Sequence, residues 1–260
     1  MTRDGKILGL NTTFDSSLFQ ALARESAGRC VGGGNFDALS AIMLSYAALE
    51  AFVNELSQLS RTLLRERKLQ LETDETVPSL PDFLETLSLA LRVAEDRWAS
   101  VEYRYDLAWE VVGPTKVNPG VGARQSLGVM TKLRNDLVHA KSGETELYLH
   151  QDPEEAKRFD GFWLGSVREH HEHPRYLHFL DDRRLLNPGT EHDPWLHRIC
   201  SRAVAEWACE TTEQLAWNLV ERTPVDSTFR ERLENYSLAG TARRRRERAA
   251  LDAEVKDEAQ

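Results

Sequence analysis

The feature that most constrains this chain is an amphipathic run over residues 36–70. Phe36, Leu39, Ile42, Met43, Tyr46, Leu49, Val53, Leu56 and Leu59 recur there mostly at steps of three and four. That spacing puts them on one face of an α-helix. Gly32-Gly33-Gly34 breaks the chain just before it, and Asn35 or Asp37 offers a cap. The run ends in the charged stretch 65–68 and a polar linker, 72–81, that contains Pro78 and Pro81.

A second helix is expected after Pro81, with Asp82 near its cap, running through Leu87 and Leu91 toward Trp98. Residues 99–112 are apolar and aromatic and fit either helix or extended chain. Gly113-Pro114 and Asn118-Pro119-Gly120 mark a loop. A third helix is expected over 122–141, ended by Ser142-Gly143. Residues 143–193, rich in His, Asp, Arg and Pro, read as an insertion of loops and short elements. Asp193 or Pro194 then opens another helix, in which Trp195, Ile199, Ala203, Trp207, Leu215 and Leu219 form a row close to every fourth residue. After Pro224 the chain turns polar, and 238–260 reads as a charged helical tail or a disordered end. With no repeat and no alternating strand series, the class is all-α. The expected organisation is an irregular lead-in over 1–34, a helical domain over 35–225 and a charged tail over 226–260.

A length of 260 residues with 41% hydrophobic and 29% charged residues suffices for a core in one elaborated domain or two small ones. The longest apolar run, 41–52, is interrupted by Ser45 and Glu50 and reads as too short to cross a bilayer. The first residues lack the apolar core of a secretory signal, so a cytoplasmic protein without membrane contact is expected. Cys30, Cys200 and Cys209 are an odd count that suggests buried thiols rather than a disulfide framework. A formal net charge of −9 argues against a protein that coats nucleic acid, and leaves room for one local basic site.

The candidate site lies on the third helix. At about 100° per residue, Met130, Leu133 and Leu137 face the core, and His139 points nearly opposite with Asn135, Lys132 and Asp136. Arg134 falls on the margin of the apolar face, from where a long guanidinium can curl toward His139. On the first long helix, Glu50 projects between Leu39 and Met43, with Asn54 one turn on. A carboxylate on that face needs a partner, and Arg134 is the expected one.

The stretch LRNDLVHA, after a first helix reading ALSAIMLSYAALEAFVNEL, resembles the HEPN superfamily (higher eukaryotes and prokaryotes nucleotide-binding). That family's mark is Arg, then often a polar residue, then His at the end of a late helix, and Arg134, Asn135 and His139 match it position for position. The resemblance covers residues 35–141, with 194–222 as the final bundle member. It implies metal-independent cleavage of single-stranded RNA at a homodimer interface, with no cofactor, in microbial defence or toxin–antitoxin systems where a cognate antitoxin or other defence partner acts. Arg134, His139 and Asn135 would be catalytic. Glu50, Asn54, Asp136 and Lys132 would support them. An imidazole with its ordinary pKa of about 6.5 can take the proton of a ribose 2′-hydroxyl at neutral pH. The resulting attack on the adjacent phosphate gives a 2′,3′-cyclic phosphate and a 5′-hydroxyl, a route closed to DNA. Many toxin members carry Tyr after the His, where this chain has Ala140. The same residues also fit a catalytically silent bundle used for dimerisation or partner binding.

Other signals are weaker. His170, His171, His173, His178, His192 and His197 follow no zinc-ligand spacing and read as exposed. Arg243–Arg246 and Arg248 have acidic residues at helical pairing distance, as in Arg243–Glu247, and read as a solvated helix face.

Overall fold

A computed structural model describes residues 13–30, 36–71, 80–113, 122–138, 145–147, 167–169, 174–188, 195–225 and 227–258. They form an all-α bundle. Its helices are α1 (Ser16–Arg29), α2 (Phe36–Leu71), α3 (Phe83–Asp96), α4 (Val101–Val112), α5 (Gly122–Val138), α6 (Tyr176–Asp181), α7 (Trp195–Ile199), α8 (Arg202–Val220), α9 (Thr228–Tyr236) and α10 (Leu238–Glu258). The insertion contributes a three-residue antiparallel pair, β1 (Thr145–Leu147) with β2 (Val167–Glu169), in the register Thr145↔Glu169.

α2 is the axis of the bundle, packing against α1, α3, α4, α5 and α8. Ile42, Leu49, Phe52, Leu56 and Leu59 on it are fully buried, each contributing roughly 1.5–3 kcal/mol of burial. Asp37 falls inside its first turn, where a carboxylate suits the helix dipole; Asn35 and the glycine breaker lie outside the described residues. By length and hydropathy α2 passes for a membrane span, contrary to the expectation from 41–52 alone. Half of its most apolar window is buried inside the bundle.

Three expectations are corrected. Residues 1–34 are not all irregular: α1 packs along α2. Its buried face is Ser16, Gln20, Ala23, Ser26 and Ala27, so the helical period is carried by small and polar residues rather than large apolar ones. The helix expected from 193 is broken. Trp195 and Ile199 sit on the short α7, and Ser201 caps α8, its Oγ accepting from the Val204 N–H at 3.0 Å and donating to the Leu185 carbonyl at 2.5 Å. After Pro224 the chain does not stand apart, because Phe229, Leu233, Leu238, Ala239 and Ala242 are buried in the core. Only beyond them is α10 a charged surface helix.

The ambiguous segment 99–112 is helical, capped by Ser100, whose Oγ accepts from the Tyr103 N–H at 3.2 Å. The fully buried Tyr105 donates its hydroxyl to the Leu215 carbonyl at 3.0 Å and ties α4 to α8. α3, α4 and α5 lie alongside α2, where a groove runs past Tyr46, Glu50, Asn54 and Arg61.

Candidate functional site

Burial of Leu127, Met130 and Leu133 fixes the rotation of α5, and this turns Thr131, Arg134 and Asn135 toward α2. The Arg134 guanidinium lies 5.5 Å from the centroid of the Tyr46 ring, a cation–π distance. Its Nη1 donates to Asn135 Oδ1 at 3.1 Å. Among the described residues Arg134 has no carboxylate partner. Burial pushes the Tyr46 phenol above its ordinary pKa; a hydrogen bond with Thr131 opposes this, Glu50 adds to it and Arg134 counters it. The phenol is thus held neutral between a negative and a positive neighbour.

Glu50 does not pair with Arg134. Its Oε1 accepts from Arg104 Nη2 at 3.3 Å, while Asn54 Oδ1 accepts from Arg104 Nη1 at 2.5 Å. Nor is Glu50 buried: its side chain is 44% exposed, whereas that of Arg104 is 9% exposed. The polar face noticed on α2 therefore answers to a cation from α4. Arg104 Nε is buried and makes no hydrogen bond among the described residues. Arg198 Nε and Arg243 Nε, outside this region, are in the same state, so an unused buried N–H is not particular to Arg104.

These side chains line an open groove of about 1040 Å³ between α2, α3, α4 and α5. Four arginines (Arg61, Arg92, Arg104 and Arg134) and three carboxylates (Glu50, Glu95 and Asp96) border it, together with Trp98. The excess is one positive charge, in a chain of net charge −9. Next to it, a second groove of about 580 Å³ shares Arg92 and adds Arg67 and Lys68 against Glu85.

The other expected site residues divide. Arg134, Asn135, Glu50 and Asn54 meet at the groove. Asp136 instead accepts the Tyr176 hydroxyl at 2.8 Å and fastens α6 to α5. Burial, and then that bond, raise the tyrosine's pKa. Lys132 is exposed and does not line the groove. α5 ends at Val138, so His139 lies outside the described residues, as do Ala140, His170, His171, His173 and His192. His178 and His197 are exposed on α6 and α7. In the arginine run, Arg243 reaches Glu247 at 3.3 Å as expected and also Glu234 at 2.7 Å, and Arg245 reaches Glu213 at 3.1 Å.

Sequence reasoning missed Arg104, Tyr46, Arg61, Arg92 and Trp98. One signal was present: Arg104 is the only basic residue between Arg97 and Lys116, inside an apolar and aromatic stretch, and Glu50 with Asn54 needed a cation. Fold and groove together define an all-α protein with an open cleft bordered by four arginines and three carboxylates. Compared with models of known families, with curated proteins and with solved structures, the chain matches none of them.

Proposed function

We propose that this protein is a metal-independent endoribonuclease of HEPN type, acting on single-stranded RNA at the α5 rim of the groove. The observation that carries the reading is Arg134, free of any described carboxylate and set beside Asn135 on a groove bordered by three further arginines. His139 follows in sequence directly on the last residue of α5. In this reading the His139 imidazole takes the 2′-hydroxyl proton, O2′ bonds to phosphorus, and the 5′-oxygen leaves and collects a proton. Arg134 stabilises the charge on the phosphorane-like transition state. A homodimer would bring two such pairs to one phosphodiester. The biological setting that goes with this chemistry is microbial defence or a toxin–antitoxin pair, with a cognate inhibitor as partner.

The test is cleavage of single-stranded RNA in EDTA by the purified chain. His139→Ala is expected to lower the rate about a hundredfold or more, with an unchanged circular-dichroism spectrum and products ending in 2′,3′-cyclic phosphate. Equal cleavage by parent and variant overturns the proposal.

One observation favours a second reading, a non-catalytic bundle that self-associates. Val93 and Tyr103 are exposed beside a shallow, mostly apolar groove of about 560 Å³ between α3 and α4. Under it, Tyr103→Glu abolishes the dimer and no variant cuts RNA.

A further inference from the structure

We infer that Trp98 is a base-stacking platform at the rim of this groove, so that its ligand is an unpaired nucleotide of single-stranded RNA. The inference rests on the proposed RNA site and adds the residue that distinguishes single strand from duplex.

α3 ends in a Schellman motif. The Trp98 N–H donates to the Glu95 carbonyl at 3.0 Å and the Ala99 N–H to the Ala94 carbonyl at 2.9 Å. Trp98 occupies the left-handed position of that motif, with φ 56°, where glycine is the usual residue and a side chain is strained. The chain nevertheless places there its largest apolar side chain, 94% exposed. The turn thus presents an indole to solvent at the lip of the groove.

Below the lip, four arginines and the carboxylates of Glu50, Glu95 and Asp96 border the groove, and Arg104 spends its two terminal nitrogens on Asn54 and Glu50. Arg104 is more than nine-tenths buried in the groove wall, and its Nε makes no hydrogen bond among the described residues. Arg92 and Arg134 border the same space without a described carboxylate partner. Guanidiniums take phosphate oxygens, bidentately where the geometry allows. An exposed indole beside them offers a face on which any unpaired base stacks. In a duplex the bases are already stacked on each other, and an A-form helix shows a protein mainly its backbone and 2′-hydroxyls. A lone anion or small phosphate would satisfy the arginines and leave the indole unused. A single strand satisfies both.

Binding is measured by fluorescence anisotropy with full-length protein carrying His139→Ala, so that RNA stays intact. The probes are a short labelled single-stranded RNA, the same strand annealed to its complement, and a ribose-phosphate oligomer of equal length without bases. Trp98→Ala is expected to weaken single-strand binding about tenfold and Trp98→Phe less than about threefold. Duplex and base-free oligomer should bind each variant as they bind the parent. Trp98→Gly should lose the same affinity while raising Tm by about 2 °C through relief of the backbone strain, which separates a ligand role from a folding role. If Trp98→Ala and Trp98→Gly hold the single strand as the parent does while Arg134→Ala releases it, stacking is overturned and the RNA site stands. If the folded parent binds none of the probes, the RNA site is overturned and the platform with it.

Discussion

The junction of α1, α8 and α10 and the groove between α2, α3, α4 and α5 treat arginine in opposite ways. At the junction, Arg24 makes a two-pronged contact with the buried Glu213, its Nε and Nη2 at 2.9 and 2.8 Å, and Gln20 and Arg245 reach the same carboxylate at 2.8 and 3.1 Å. One carboxylate there gathers four donors, and the product is a fixed helix arrangement. In the groove, guanidiniums outnumber carboxylates, one of them buried with an unused N–H. Charge spent on internal pairing serves folding. Charge left over at a surface cleft is available to an anion, because a guanidinium already in place needs little reorganisation to receive one. The same residue type thus carries different information according to what surrounds it.

The contrast can be broken by removing one charge from each region. Glu213→Ala removes the acceptor shared by four donors of Gln20, Arg24 and Arg245 and is expected to cost about 3 kcal/mol, read from the urea midpoint. Arg134→Ala should cost less than about 0.5 kcal/mol while abolishing RNA cleavage. Equal stability losses would show that the groove arginines are structural after all.

A pH-dependent effect comes from Glu55, whose carboxylate accepts from the Ser16 N–H at 2.7 Å and hydroxyl at 2.6 Å, while Ser16 Oγ accepts from the Leu238 N–H at 2.9 Å. Burial raises its pKa from 4.5 to about 7, against the Ser16 hydrogen bonds. Between those values the folded chain holds a proton that the unfolded chain has released. This group's contribution is therefore greatest below about pH 4.5, falls as pH rises to about 7, and is constant above that. The span corresponds to about 3 kcal/mol. Glu55→Gln should flatten the difference between urea midpoints at pH 5 and pH 7.5; an unchanged slope would assign the pH response elsewhere. The smallest effect is expected at the exposed pair Arg29–Glu25, 2.7 Å apart on α1. Glu25→Gln there should change stability by less than about 0.5 kcal/mol.

How much was legible depended on the size of the side chains carrying each pattern. α2 and α3 stand where large apolar residues repeat, and α5 begins at the expected residue. α1 was hidden because its buried stripe is Ser, Gln and Ala, which no hydrophobic period reveals. The break between α7 and α8 was hidden because one serine, Ser201, interrupts an otherwise continuous row by capping the second helix. At the site, Arg134 and Asn135 were visible from their spacing, and Glu50 with Asn54 as a polar intrusion. Their true partner was not, since Arg104 lies 50 residues from Asn54 and 54 from Glu50.

The sequence by itself determined the helical class, the central helix, and the clustering of Arg134 with Asn135 on one turn, because helical periodicity is local and needs no knowledge of neighbours. Only the tertiary structure decided that Glu50 answers to Arg104, that Asp136 is occupied by Tyr176, and that Trp98 stands at the rim of a cleft edged by four arginines. Ion pairs and grooves form between helices distant in sequence. Which charge meets which is set by how those helices pack, and the packing depends on the whole core at once.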